Sequence, residues 1–161
     1  LFPNQKMALI KGVSRIQGFI LPPGNPLGIQ TVEDLIGKRY INRQRGAGTR
    51  VLLDYCLKRA GIAPERIFGY EHEAATHMAV AAAVKNGDAD AGLGIYSAAR
   101  AMGLDFVAVG PEEYDFAILQ DDLDLPRVKA FLTVLKSDAF LNALDQLGGY
   151  SHPRIGEIIC L

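Results

Sequence analysis

Residues 39–54 read RYINRQRGAGTRVLLD. Arg39 to Asn42 is a strand-like stretch, and it feeds a loop in which Arg43, Arg45 and Arg50 surround Gly46, Ala47, Gly48 and Thr49. After the loop, Val51, Leu52, Tyr55 and Cys56 fall on one face at helical spacing, with Asp54, Lys58 and Arg59 opposite, until Gly61 ends the run. The succession is strand, glycine loop, helix, the unit from which α/β folds are assembled.

Working outward, Met7 to Ile10 and Ile16 to Leu21 read as short strands separated by a turn-like Lys11-Gly-Val-Ser14. Pro22-Pro-Gly-Asn-Pro26 is a loop by composition, and Thr31 is placed to cap a short helix stopped by Gly37. Beyond Gly61, the alanine-rich run Ala75 to Asn86 predicts a helix able to approach neighbouring backbone closely and to lie buried. Ala89 to Ile95 then reads as a strand, Ser97 as the cap of a short helix stopped by Gly103, and Asp105 to Val109 as a further strand, a strand-helix-strand unit of the parallel kind. Tyr114 to Leu119 predicts one more strand, and Pro126 to Lys136 and Ser137 to Leu147 two helices, closed by Gly148-Gly149. The expectation is an α/β fold with a mixed, mainly parallel sheet or pair of sheets.

Composition narrows the class. With 161 residues, 49% hydrophobic and 22% charged, the chain fits one globular domain or two small lobes. Lys+Arg 17 against Asp+Glu 18 leaves a net charge of -1, which argues against a broad nucleic-acid surface and makes any anion site a local one. Cys56 and Cys160 have neither disulfide-framework nor metal-type spacing. No apolar run is long enough for a membrane-spanning helix, and the amino end lacks the layout of a signal peptide.

The loop at 42–50 lacks the spacing of a P-loop, and Val51 stands where a dinucleotide fingerprint needs its third glycine. Gly92-Leu-Gly94 fails the same test at Ser97. Two readings stay open for the loop. In one, glycines let successive backbone N–H groups converge at a helix N-terminus, making an anion nest to which Thr49 adds a hydroxyl and Arg43, Arg45 and Arg50 add charge. In the other, Gly46-Ala-Gly48 simply makes a solvated turn, Thr49 caps the helix and the arginines pair with surface carboxylates. Tyr70-Glu-His-Glu-Ala-Ala-Thr-His77 suggests a zinc motif, but His72 and His77 are five apart where HExxH needs four, so no metal site is expected. Thr76 either caps the following helix or also presents its hydroxyl to the ligand of Thr49. Ser14, Ser97 and Cys56 lack the contexts of nucleophiles, and Glu112-Glu113 and Asp121-Asp122 read as solvated turns. Tyr96 follows a strand end, where α/β sheets face their ligand crevices, or else is a half-buried aromatic under a loop.

Taken in order, Leu21-Pro-Pro-Gly-Asn-Pro26, Gly28-Ile29, Asn42-Arg-Gln44, Gly46 to Arg50, Leu52-Leu-Asp54, Gly61-Ile62, Gly69-Tyr70, Glu73, Thr76-His77 and Gly92-Leu-Gly-Ile95 resemble a family. The match continues through Gly103-Leu-Asp-Phe106, Tyr114-Asp115 and Leu147-Gly-Gly-Tyr150. The family is the periplasmic-binding-protein-like domain attached to molybdopterin-biosynthesis-type proteins and molybdate-type DNA-binding regulators. The resemblance implies a type 2 solute-binding fold, two α/β lobes with ligand between them, and binding without catalysis or cofactor. It implies a small oxyanion, molybdate or tungstate, facing Arg43, Gly46, Ala47, Gly48, Thr49, Arg50, Thr76 and Tyr96. Ala47 departs from the family's Gly-Ser-Gly-Thr-Arg and removes one hydroxyl donor. The resemblance further places residues 23–90 in the second lobe and residues 1–22 and 91–161 in a first lobe with hinge, truncated at its amino end. It carries an attached DNA-binding or molybdopterin-biosynthesis domain, a homo-oligomer and a cytoplasmic location as expectations, or a periplasmic or extracellular one if a signal peptide precedes Leu1. The alternatives are a transporter receptor for another small anion and a cofactor-assembly domain handling a phosphorylated or pterin-type metabolite.

Overall fold

The computed structural model describes residues 5–161. Its elements are β1 (Met7–Leu21), β2 (Tyr40–Arg43), α1 (Gly48–Ala60), β3 (Glu73–Ala74), α2 (His77–Lys85), β4 (Ala91–Ile95), α3 (Tyr96–Met102), β5 (Asp105–Leu119), α4 (Pro126–Leu135), α5 (Asp138–Leu147), β6 (Tyr150–Ser151) and β7 (Ile158–Cys160). The main strand order is β3-β2-β4-β1-β5. The chain forms two compact units, one of Ile16–Gly110 and one of the stretch ending at Arg15 with Pro111–Leu161.

In the unit Ile16–Gly110, β2 runs parallel to both β3 and β4, while β1 pairs antiparallel with β4, Gln17 opposite Ile95 and Phe19 opposite Leu93. Side chains alternate across a strand, and the core divides accordingly. Phe19, Leu21, Tyr40 and Leu93 pack with Leu53 and Leu57 of α1 on one face of the sheet. Ile20, on the other face, packs with Val80, Ala81 and Val84 of α2 and Ala98 and Ala99 of α3. The expectation of a buried alanine-rich helix holds for that one side of α2, since Met78 and Ala79 are exposed. The unit completed by Pro111–Leu161 has its own core, Ile10, Val128 and Leu135 with Ile118, Leu132 and Phe140 against them. There β6 and β7 pair antiparallel with β1.

The structure corrects several boundaries. Lys11-Gly-Val-Ser14 makes no turn, and β1 is one strand of 15 residues. Gly12 serves a close approach: a Cβ there would run into the Tyr114 carbonyl, and the Gly12 N–H donates to Asp115 Oδ1 at 3.2 Å. Lys11 holds the same segment extended through Glu113 at 2.9 Å and Asp115 at 2.6 Å. Asp105 to Val109 and Tyr114 to Leu119 likewise join into the single β5. A Cβ at Gly18 would meet the Val107 carbonyl. Later residues of β1 therefore face earlier residues of β5, and the two strands run in opposite directions. The expected strand-helix-strand pair β4 and β5 thus shares a direction, but β1 lies between the two strands. Ile95 rather than Ser97 stands at the N-cap of α3. Thr31 is not an N-cap. Its hydroxyl and N–H, with the Gln30 N–H, donate to Asp34 Oδ2 and hold that carboxyl below its ordinary value.

A candidate anion-binding edge at the strand ends

Because β2, β3 and β4 are parallel, their carboxyl ends at Arg43, Ala74 and Ile95 share one edge of the sheet, and each leads into a helix. In open α/β sheets this is the edge at which ligands bind. The loop after β2 closes with Ala47 N–H donating to the Gln44 carbonyl at 3.1 Å. Gly46, third in that turn, has φ 86°, which side chains oppose. The conformational freedom of the loop therefore resides in Gly46. Gly48 is already the first residue of α1 and has no positive φ.

Ala47 is the N-cap of α1, extended at φ -70° and ψ 134°, and no side chain caps the helix. Its carbonyl accepts from Arg50 and Val51 N–H. The N–H groups of Gly48 and Thr49 fall among the first-turn donors that a helix cannot satisfy internally, and the helix dipole adds partial positive charge there. Thr49 is 3% exposed and lies one turn before Leu53, so its side chain follows the helix face that packs on the sheet. At α2 the cap is made: Thr76 Oγ accepts from Ala79 N–H at 3.0 Å. The hydroxyl proton of Thr76 remains available for donation, because only its oxygen is engaged in that bond.

The arginines are committed to structure. The Arg43 guanidinium reaches across to the β3–α2 junction, donating to the Ala74 carbonyl at 3.2 Å, the Ala75 carbonyl at 3.1 Å and Gln44 Oε1 at 3.1 Å. It also meets His77 Nδ1 at 3.0 Å. A guanidinium only donates, so that ring nitrogen accepts. Arg50, 4% exposed, donates to Glu73 at 2.7 Å and lies with its guanidinium carbon 4.5 Å from the centre of the Tyr70 ring. Tyr70 in turn donates to Asp54 at 2.7 Å. The exposed Arg45 pairs with Glu71 at 3.1 Å. Arg45 and Arg50 thus fasten the loop to Glu71 and Glu73, and Arg43 fastens β2 to the start of α2.

Tyr96 opens α3 at 37% exposure, its ring edge-on to Phe106 at 5.5 Å. His72 packs edge-on against Phe68 at 6.5 Å, and among the described residues no cluster of His, Cys, Asp and Glu could hold a metal ion.

Two buried polar residues at this edge have roles that the sequence does not assign. Asn42, fully buried, donates to the Tyr70 carbonyl at 3.0 Å and accepts from Arg43 N–H at 2.9 Å, setting the exit of β2. Gln17 is 3% exposed, and its Oε1 has no hydrogen-bond partner. It sits across from Ile95 at the carboxyl end of β4 and, by alternation along β1, on the side that carries Phe19 and Leu21, whereas Ile95 itself packs in the core around Val80 and Ala98. Register identified it, and no local motif could have.

Comparison with known proteins fits this architecture. Residues 1–136 match the family described as the PBP superfamily domain, and the chain belongs to that superfamily. It is 35% identical over 161 residues to the uncharacterized protein YvgK of Bacillus subtilis, covering 99% of this chain and 52% of YvgK. The chain therefore spans about half the length of that relative. It is also 34% identical over 114 residues to an uncharacterized Clostridium pasteurianum protein encoded in the 5′ region of a ferredoxin 2Fe-2S gene, covering 68% of this chain and 97% of that one. Among solved structures, PEB3 bound to L-phospholactate superposes with a TM-score of 0.61 at 15% identity, over 89% of this chain and 68% of PEB3. A mutant of the T. maritima protein ArgBP superposes at 0.57 and 19% identity, over 88% and 62%. At these identities the structures show the fold, which is that of type 2 periplasmic-binding proteins.

Proposed function

From membership of the PBP superfamily, we propose that this chain is a non-catalytic binding domain for a small oxyanion, serving a sensor or receptor. The observation that carries the reading is the N-terminus of α1. Its N-cap is an alanine with no side-chain cap, Thr49 is buried beside it, and it stands at the carboxyl ends of parallel strands. A helix end left uncapped there offers main-chain N–H groups and a positive dipole to an anion. Thr49 and Thr76 add hydroxyl donors. Arg43 adds a nearby charge, while Arg45 and Arg50 hold the loop in shape.

Molybdate and tungstate head the ligands to test, on the resemblance of the ordered motifs around Gly46 to Arg50. A second reading, a transporter receptor for another small anion, is favoured by Gln17, whose unpartnered acceptor a bare oxyanion does not satisfy. Calorimetry with molybdate, tungstate, sulfate, phosphate and small carboxylates tests both. The expected result is a one-to-one complex that Gly48→Val removes while the fold persists, because a β-branched side chain at that helix start screens the N–H groups. Binding unchanged by Gly48→Val sinks the assignment to α1.

A further inference from the structure

Gln17 is the one buried side chain among the described residues that leaves a polar atom without a partner. Such atoms are uncommon, since an unpaired buried acceptor forfeits its bond to water and gains nothing in return. Its place makes it informative. Gln17 stands two residues before Phe19 along β1 on the side that α1 covers, and its register partner Ile95, at the carboxyl end of β4, packs in the core around Val80 and Ala98. Thr49 comes to the same level from the helix side, one turn before Leu53. The residue after Ile95 is Tyr96, which opens α3. The orphaned oxygen therefore lies at the edge where the uncapped start of α1 presents its N–H groups.

We propose that Gln17 is a specificity-determining residue of this edge, and that the preferred ligand is a small molecule carrying an N–H or O–H donor beside its negatively charged group. This rests on the anion reading above. The N–H groups of Gly48 and Thr49 and the hydroxyls of Thr49 and Thr76 can all donate, so they recognise acceptor oxygens of any kind. Gln17 Oε1 accepts. A fully deprotonated tetrahedral dianion offers it only lone pairs and leaves it unsatisfied. A 2-hydroxy or 2-amino carboxylate, or a phosphate that keeps a proton, places a donor there and removes the penalty. The discrimination follows the general rule that a site with a buried polar group rejects the analogue unable to pair with it.

The test is calorimetry on the whole chain with five probes: molybdate and sulfate, which carry no donor, and hydrogen phosphate, glycolate and glycine, which do. The wild-type protein is expected to prefer at least one donor-bearing probe over molybdate and sulfate by about tenfold or more, the size of one hydrogen bond to a charged partner. Gln17→Leu is expected to erase that preference and to raise the melting temperature of the unliganded protein. Gln17→Glu is expected to weaken the binding of every anionic probe, because a carboxylate beside the bound anion repels it and a protonated carboxyl donates. An unchanged preference in Gln17→Leu overturns the role of Gln17 while leaving the anion site standing. So does tight molybdate binding by the wild-type protein that Gln17→Leu abolishes, which would show the carboxamide acting as a donor. A lower melting temperature for Gln17→Leu overturns it as well, because an internal water would then already pair the oxygen. Failure of every probe to bind the wild-type protein removes the anion reading itself.

Discussion

Thr49 and Arg50 are adjacent and equally buried, yet their chemistry differs. Thr49 enters the sheet face beside the uncapped start of α1, so Thr49→Val keeps its shape and deletes its donor. The expected effect is a loss of about 1–3 kcal/mol in ligand binding with little change in melting temperature, read by calorimetry and thermal unfolding. Arg50 is spent on Glu73 and Tyr70. Glu73→Gln leaves the buried guanidinium with only the longer contact to Glu71, at 3.6 Å, as counter-charge and is expected to lower folding stability by about 1–2 kcal/mol in urea unfolding. A purely solvated pair would cost less than about 1 kcal/mol. The sequence shows the three arginines and the glycines but not this division of labour. Which guanidinium faces a carboxylate depends on Glu71 and Glu73, more than twenty residues away and brought alongside by the β2–β3 pairing. Gln17 was invisible for the same reason: a glutamine inside a strand carries no motif, and only the register to Ile95 places it.

At the scale of elements, β4 is a strand built for close packing. A Cβ at Gly92 would meet Val80 Cγ1, and it would stand 2.8 Å from Ile41 Cγ2 and 2.9 Å from the Ile41 carbonyl. Gly92→Ala is therefore expected to cost about 1–3 kcal/mol by overpacking, measured in urea. The start of the strand is held by Asp90, which accepts from Arg39 N–H at 2.9 Å and from its guanidinium at 2.6 Å and 3.2 Å. That guanidinium holds the Asp90 carboxyl below its ordinary value of 3.8. A carboxyl depressed in the folded state stabilises the fold above its unfolded value, and the contribution disappears as pH falls through the folded value. Stability should thus decline below about pH 4, and Asp90→Asn should flatten that limb while lowering stability at neutral pH by up to about 1 kcal/mol. Equal acid slopes for the two proteins would remove Asp90 from the account. The strand-loop-helix succession around Gly46 was legible because periodicity, glycine and helix stop are local signals. The length of β1 was not, because Gly12 resembles a turn residue until β5 lies against it.

At the scale of the whole molecule, the breaks read into the two long strands acquire a meaning. The compact units divide β1 at Arg15 and Ile16 and β5 at Gly110 and Pro111, close to where the sequence suggested that one strand stopped and another began. Each long strand contributes residues to the cores of both units. The division falls near Gly12 in β1 and at Gly110-Pro111 in β5, residue types that read as turns in the sequence. The unit Ile16–Gly110 contains both helical layers, the core around Leu53 and Leu57 and the core around Val80 and Val84. It also contains every side chain assigned above to the anion edge. A domain folds alone when its own core offsets the entropy of ordering its chain, and helix on both faces of a sheet gives this segment a core that is closed within itself. A protein of residues 16–110 alone is therefore expected to unfold cooperatively and to retain the order of ligand preference of the full chain in calorimetry. A non-cooperative melt with dye binding would show that its sheet depends on the flanking segments. A cooperative fragment with the preference lost would place a ligand contact outside Ile16–Gly110, and the donors of α1 and α2 would then be only part of the site.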